Sequence, residues 1–207
     1  PCTPVQHLLL HDFAEALRAQ QGDLALPMLV MTSGNLHNEP IVTDDDRALV
    51  KFAGIADAVL GNDRRILSRY DDSVLRVVRV GDEQAIQFVR RARGFAPLPI
   101  ALDCPEAQSK QETLLATGSE QKATFTLVRA AAADDQRPDA FVSQHIGDVE
   151  NAETYDAWLE AEERYRQLFQ ETPRRLACDA HPEYLASKWA REQAQRDNLP
   201  LTEVQHH

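Results

Sequence analysis

The strongest constraint on the fold of this chain is the order of its elements after residue 112. Three short apolar runs come first, and they are followed by a helical pattern, an apolar run, a second helical pattern and a last apolar run. These segments lie at 114–117, 124–129, 140–143, 151–170, 176–178, 183–196 and 201–204. Short apolar runs bounded by polar turns favour strands, and apolar residues three or four apart favour helices. The sequence therefore predicts three strands, a helix, a strand, a helix and a strand.

This element order is that of one ribonuclease-H-like half of the ATP-binding fold of actin and the sugar kinases. Several α/β folds share parts of the order, so it indicates a fold class rather than a function.

The first hundred residues predict a different α/β region. Helical spacing predicts a helix over 5–20, and acidic residues at the start of 43–52 favour a second one. Apolar runs predict a buried strand at 27–31, a short strand at 57–60 and a pair of strands at 74–80 and 85–89. A polar stretch from Asp103 to Glu112 has no apolar period and is typical of a linker. We therefore predict two domains, at 1–100 and 113–207, joined by a linker at 101–112.

Composition and charge exclude several classes of protein. The chain has 207 residues and a formal net charge of −11, from 22 Lys and Arg against 33 Asp and Glu, so broad electrostatic binding of nucleic acid is not expected. The cysteines Cys2, Cys104 and Cys178 are too widely spaced for a CxxC zinc site. No run of about 18 apolar residues predicts a membrane span, and no signal peptide is evident. We expect a cytoplasmic protein without a membrane partner. The lack of an initiating Met suggests part of a longer chain.

Polar and basic motifs follow several of the predicted strands. Thr32-Ser33-Gly34-Asn35 follows the predicted strand at 27–31, and a glycine there lets the backbone approach an anion. A simple polar turn explains the same pattern. Arg69, Ser73, Arg91 and Arg93 could bind phosphate or carboxylate, since a guanidinium is a forked donor, or they could form local ion pairs on a solvated surface.

The second domain carries three further groups of polar residues. Gly118 and Lys122 lie in the turn between the first two predicted strands, and Ser143 and His145 follow the third. Asp179 ends the fourth predicted strand, and His206 follows the last one. An exposed hairpin lysine, a helix cap and a structural histidine are the alternative interpretations of these residues.

Taken in order, these motifs resemble the HypF family of hydrogenase-maturation carbamoyltransferases. The matching segments are Thr-Ser-Gly-Asn followed by Glu39-Pro40-Ile41, then residues 69–74, 90–97, 116–125, 143–148, 178–184 and 204–207. The resemblance is unbroken at Ser-Gln-His-Ile-Gly-Asp, 143–148. It departs at His37-Asn38, at Tyr70, and at Ser119, Gln121 and Ala123.

The resemblance implies an α/β fold, with a YrdC-like twisted mixed sheet followed by a ribonuclease-H-like half of an actin-like transferase domain. It implies that carbamoyl phosphate and ATP give carbamoyl-adenylate, and that the carbamoyl group passes to the C-terminal cysteine of a HypE-type acceptor protein. Mg²⁺ and a histidine-bound divalent metal are the implied ions. The implied nucleotide or carbamoyl contacts are Ser33, Asn35, Arg69, Ser73, Arg91, Arg93, Gly118, Lys122, Ser143 and His145, and the implied metal residues are His206 and Asp179.

Two other functions fit the same residues. One is a transferase that threonylcarbamoylates tRNA, which the acidic charge balance disfavours. The other is a non-catalytic interaction module.

Overall fold

A computed structural model describes residues 3–22, 26–37, 39–103, 112–130 and 137–206. The contacts between residues divide the chain into two compact units, Pro1–Gly34 and Asn35–His207.

The first unit contains one helix, α1, at Pro4–Gln21. The Thr3 hydroxyl accepts a hydrogen bond from the N–H of Gln6 at its start, and Gly22, at φ +85°, ends it. None of its residues is buried. The helix predicted at 5–20 is thus confirmed.

The buried strand predicted at 27–31 is wrong. Met28 is 83% exposed and Val30 is fully exposed, and no strand is assigned to the segment. A strand needs a hydrogen-bonded neighbour and a covered face. Within the described ranges, no strand pairs with these residues.

The second unit begins with helix α2 at Asp45–Lys51, where the Asp44 carboxylate accepts the Arg47 N–H at 2.9 Å. Two antiparallel strands follow, β1 at Val74–Val80 and β2 at Glu83–Arg90. Both this helix and the paired strands were predicted.

The strand predicted at 57–60 is wrong, because that segment is exposed and joins neither sheet. Among the described residues, β1 and β2 form a two-stranded sheet of their own.

The rest of the second unit is built on a six-stranded sheet. Its strands are β3 (Ile100–Ala101), β4 (Leu114–Ala116), β5 (Thr126–Arg129), β6 (Asp139–Val142), β7 (Arg175–Asp179) and β8 (Leu201–Val204). They lie in the order β3-β6-β5-β4-β7-β8. Strands β4, β7 and β8 are parallel, whereas β5 is antiparallel to both β4 and β6. The α/β class and the predicted strand–strand–strand–helix–strand–helix–strand order are confirmed.

Two helices accompany this sheet, α3 at Ala152–Phe169 and α4 at Leu185–Asp197. The core is aromatic in spite of the low aromatic content of the chain, because the few rings converge. Phe125 packs edge-on against Trp158 and Tyr165, and Trp158 packs against Trp189. Such edge-to-face pairs contribute roughly 0.5–1.5 kcal/mol beyond the area that they bury. The core therefore fixes α3 against the sheet.

The predicted linker lies mostly outside the described residues, since 104–111 are not described. Ala101, at its start, belongs to β3, which pairs with β6. The boundaries of the two predicted domains stay a prediction. Among the helices that the structure describes, none is long and apolar enough to cross a membrane.

Candidate functional site

The candidate site lies along one edge of the six-stranded sheet. Because β4 and β6 both run antiparallel to β5, their carboxyl ends lie at the same edge, together with those of β7 and β8. Thr117, Ser143, Asp179 and His206 lie at or just beyond these strand ends. Ligands of open α/β sheets bind outside the carboxyl ends of strands. The topology therefore places at one edge the polar groups that the sequence scatters over ninety residues.

Gly118 makes the turn after β4 possible. Its φ is +75°, and a Cβ built on it would lie 1.9 Å from the carbonyl oxygen of Thr124. Only glycine fits such a close approach of two backbone segments. Two hydrogen bonds fix this turn to neighbouring segments. The Lys122 N–H donates to the Asp148 carboxylate at 2.8 Å, and the Glu120 carboxylate accepts the Leu185 N–H at 2.9 Å. The Lys122 side chain is exposed beside this turn.

Ser143 has a structural place in the sheet. Its buried hydroxyl accepts the Phe125 N–H at 3.0 Å and donates to the Gln144 carbonyl at 2.9 Å. The Gln144 side chain is itself buried, and its amide oxygen has no hydrogen-bond partner. A buried acceptor without a partner costs about 1–3 kcal/mol. Sequence reasoning did not single out Gln144, although it lies inside the Ser-Gln-His-Ile-Gly-Asp segment.

His145 is half-buried next to charges from four parts of the chain. Burial, and then the positive charge of Arg90, lower its pKa from the ordinary value of 6.5, against the smaller opposing effects of Asp71 and Asp148. The imidazole is therefore neutral at pH 7 and can donate at one nitrogen and accept at the other. Arg90 and Asp71 themselves form an ion pair at 2.5 Å. The charges that act on His145 therefore come from this pair, from Lys122 in the turn and from Asp148 in the 143–148 segment.

Asp179 and His206, both predicted as metal residues, are brought together by the parallel pairing of β7 and β8. Asp179 pairs in register with Val204, two residues before His206. The His206 Nδ1 is hydrogen-bonded to the Asp179 Oδ2, and the Asp179 Oδ1 accepts the His181 N–H at 2.8 Å. The carboxylate is buried, whereas the imidazole is 47% exposed. A fixed carboxylate thus orients an accessible imidazole.

The predicted anion contacts that flank the β1–β2 pair are engaged within the chain. The Ser73 hydroxyl donates to the Arg93 carbonyl and accepts the Ala92 N–H, both at 2.8 Å. Arg91 donates to the carbonyls of Phe95, Leu98 and Val142 at 2.7–3.2 Å.

Arg69 and Arg93 also have partners inside the chain. Arg69 binds the Ile41 carbonyl at 3.0 Å and Glu160 at 2.6 Å. Arg93 is more exposed, with Asp72 at 3.4 Å and the Tyr70 carbonyl at 3.2 Å.

Ser33 and Asn35 fall on the two sides of the division between the units. Ser33 is exposed at the end of the first unit. Asn35, at the start of the second, is partly buried, and its amide nitrogen donates to the Leu36 carbonyl at 2.9 Å. Their roles as nucleotide contacts stay a prediction.

Comparison with known proteins matches each part of the chain to a domain family. Residues 109–207 match the HypF Kae1-like domain, and residues 1–92 match the Sua5/YciO/YrdC family, described as telomere recombination.

Carbamoyltransferase HypF2 of Cupriavidus necator is 41% identical over 213 residues, covering 100% of this chain. Carbamoyltransferase HypF of Synechocystis is 40% identical over 205 residues, covering 99% of it. Over its whole length, this chain is thus similar to a segment of HypF proteins. Two solved HypF structures agree in fold as well as in sequence. Full-length HypF in a phosphate- and nucleotide-bound form is 37% identical with a TM-score of 0.74, covering 100% of this chain and 28% of that one. HypF of T. kodakarensis is 32% identical with a TM-score of 0.70, covering 86% and 21% respectively.

The chain spans about a quarter of the length of its HypF relatives, since it covers 24% of the C. necator protein and 23% of the Synechocystis protein. Along this chain, the match to the Sua5/YciO/YrdC family precedes the match to the HypF Kae1-like domain.

Proposed function

We propose that the full protein carrying this chain is the carbamoyltransferase of hydrogenase maturation. Water hydrolyses carbamoyl phosphate to carbamate and inorganic phosphate, and a carbamate oxygen then attacks the α-phosphorus of ATP, which gives carbamoyl-adenylate and pyrophosphate. The thiolate of the C-terminal cysteine of a HypE-type acceptor then attacks the carbamoyl carbon, and AMP leaves. The observation that carries the proposal is the match of both parts of the chain, in order, to HypF proteins named as carbamoyltransferases.

The sheet edge supports a nucleotide-handling role for the second region. The Gly118 turn brings two backbone segments together, and neutral His145 offers a donor and an acceptor near Lys122. The buried amide oxygen of Gln144 can accept a hydrogen bond from a ligand or from water. These are the groups that fix a polar ligand at a sheet edge. A related HypF is described as phosphate- and nucleotide-bound.

A divalent metal fits the donor set at Asp179 and His206. Since the His206 Nδ1 is engaged by Asp179, the Nε2 is the ring nitrogen that would coordinate an ion. A carboxylate that orients a coordinating imidazole is a common arrangement around metal ligands. With a metal bound there, the site would supply a positive charge able to stabilise negative charge on the nucleotide phosphates or the carbamoyl oxygen. In this proposal Asp179 positions the ligand, and His206 provides it. His207 lies outside the described residues.

In the YrdC-like region we propose that Ser33 and Asn35 bind the nucleotide, with Mg²⁺ accompanying ATP. Arg93 is the most accessible arginine of its cluster and is the candidate contact for the carbamate or a phosphate. Ser73 and Arg91 support that segment through backbone hydrogen bonds.

Pyrophosphate release by the full-length protein with carbamoyl phosphate and ATP tests the proposal. Ser33→Ala and Asn35→Ala should each lower the rate by at least about tenfold, since one lost transition-state donor commonly costs more than that. Asn62→Ala, in an exposed loop, is the matched control for the asparagine. Wild-type rates in both site variants would overturn the assignment of these two residues. Absence of pyrophosphate release by the wild type, or modification of tRNA with threonine and bicarbonate, would overturn the function.

A further inference from the structure

Helix α3 presents a row of acidic side chains to the YrdC-like part of the second unit. Glu153, Asp156 and Glu160 are three and four residues apart, so they lie on one face of the helix. They line a narrow cleft of about 90 Å³. The opposite wall comes from residues 40–44, from α2 and from Arg69.

The two walls of this cleft carry opposite charges. Arg47 and Lys51, four residues apart on α2, and Arg69 line it opposite the three acids. Lys51 also pairs with Glu39, and Asp44, which caps α2, is an acidic group on the basic side. The Arg69–Glu160 ion pair, at 2.6 Å, crosses the cleft. Arg69 is only 20% exposed, and its Nε is fixed by the Ile41 carbonyl.

Contacts continue from the cleft along α3 toward the end of β6. Ser68 accepts a hydrogen bond from Arg164 at 3.1 Å, one turn beyond Glu160. The phenols of Tyr70 and Tyr165 share a hydrogen bond, and burial raises the pKa of both. Complementary charges and aligned hydrogen bonds along one helix face fix the register of a contact.

The contact ends beside the candidate site. The Val142 carbonyl, which directly precedes Ser143 and Gln144, accepts a hydrogen bond from Arg91 at 3.2 Å and lies 3.4 Å from the Tyr165 hydroxyl. We call the whole contact the seam. Its members are residues 41, 47, 51, 68–70 and 91 on the YrdC-like side and 142, 153, 156, 160, 164 and 165 on the other.

We propose that the seam is a positioning device that couples the two steps of the reaction, and that Glu160 is its main positioning residue on α3. This inference rests on the function proposed above. An intact seam holds the adenylate-forming region in register with the sheet edge, so that the acceptor thiolate takes the carbamoyl group. A broken seam lets water attack the carbamoyl carbon instead, which releases carbamate and AMP without transfer.

The test is the ratio of AMP released to carbamoyl groups transferred, measured on the full-length protein with carbamoyl phosphate, ATP and a peptide ending in the acceptor cysteine. Glu160→Lys should raise this ratio about tenfold, which is the scale expected for misplaced reacting groups. Pyrophosphate release should stay within about twofold of wild type. Because the ratio does not depend on how much of the enzyme is folded as a whole, global unfolding cannot produce the effect, and the charge reversal described below separates it from local unfolding around α3. Glu160→Gln, a milder change, should give a smaller rise.

Glu163→Lys is the matched control, since it makes the same charge change on the same helix at an exposed residue that bonds to Gln167 and does not line the cleft. It should leave the ratio unchanged. The double reversal Arg69→Glu with Glu160→Lys should return the ratio toward wild type. An unchanged ratio in Glu160→Lys, or a failure of the reversal to restore it, overturns the seam. A wild type that releases no pyrophosphate overturns the proposed function, and the inference falls with it.

Discussion

Replacing Gly118 by alanine should destabilise the six-stranded sheet by about 3 kcal/mol. A positive φ costs an alanine roughly 1–2 kcal/mol. In addition, the new Cβ would lie 1.9 Å from the Thr124 carbonyl oxygen, which must retreat by about 1.1 Å to reach even 3.0 Å. Thr124 lies between Ala123, which bonds to Gly147 and Ile146, and Phe125, which bonds to Ser143. Weakening one or two of these buried hydrogen bonds adds about 1–2 kcal/mol.

Urea unfolding of the purified chain, followed by tryptophan fluorescence, measures this loss. Both tryptophans of the chain, Trp158 and Trp189, pack together in the region that the mutation affects, so the signal reports on that region. Gly147→Ala is the matched control, because it has a positive φ but a nearest contact of 3.4 Å, to a side-chain methyl group of Thr154. It should lose only the backbone cost. Equal losses in the two variants, or a loss below about 1 kcal/mol for Gly118→Ala, would refute the reasoning.

Two further predictions concern histidines. NMR titration of His145 should give a midpoint below 6.5, because burial and Arg90 disfavour its charged form. The unfolded chain then binds more protons than the folded one between that midpoint and 6.5, so stability should fall as the pH is lowered through this window; a midpoint above 6.5 would contradict the burial argument. In the full-length protein, His206→Ala should lose a bound divalent metal by elemental analysis, and Asp179→Asn should weaken it by about 10–100-fold. His37→Ala, at an exposed position, is the control, and a His206→Ala protein that keeps its metal rules out His206 as a ligand.

Local sequence pattern predicted most elements because their signals are local. Helices α1, α2, α3 and α4 follow apolar spacing and caps such as Asp44 and Asn151, whose side chains accept the N–H groups of the first turn. The strand predictions at 27–31 and 57–60 are wrong because strand formation depends on pairing with distant residues. An apolar run shows that a segment can be covered, but whether a neighbouring strand covers it depends on residues far away in the sequence.

The same distinction between local and long-range signals applies to the residues of the candidate site. The nearness of Asp179 and His206 follows from the parallel pairing of β7 and β8, with which the predicted strand–helix–strand order is compatible. The partners of Arg91 and Ser73 could not be anticipated. A guanidinium or a hydroxyl that suits a phosphate also suits a backbone carbonyl, and only the fold decides which of them is within reach.

The same ambiguity bears on how family motifs should be interpreted in this region. Arg69 and Arg91 belong to segments that match HypF. The guanidinium groups of both donate hydrogen bonds within the seam or to neighbouring carbonyls. Arg93 and His145, from the same or adjoining motifs, keep more accessible polar groups. A motif of this kind can therefore serve two purposes within a few residues, since one side chain holds the backbone in place and its neighbour keeps an accessible polar group. Substitutions at Arg69 or Arg91 should then alter the coupling between the two steps, whereas substitution of the accessible Arg93 should alter the first step itself.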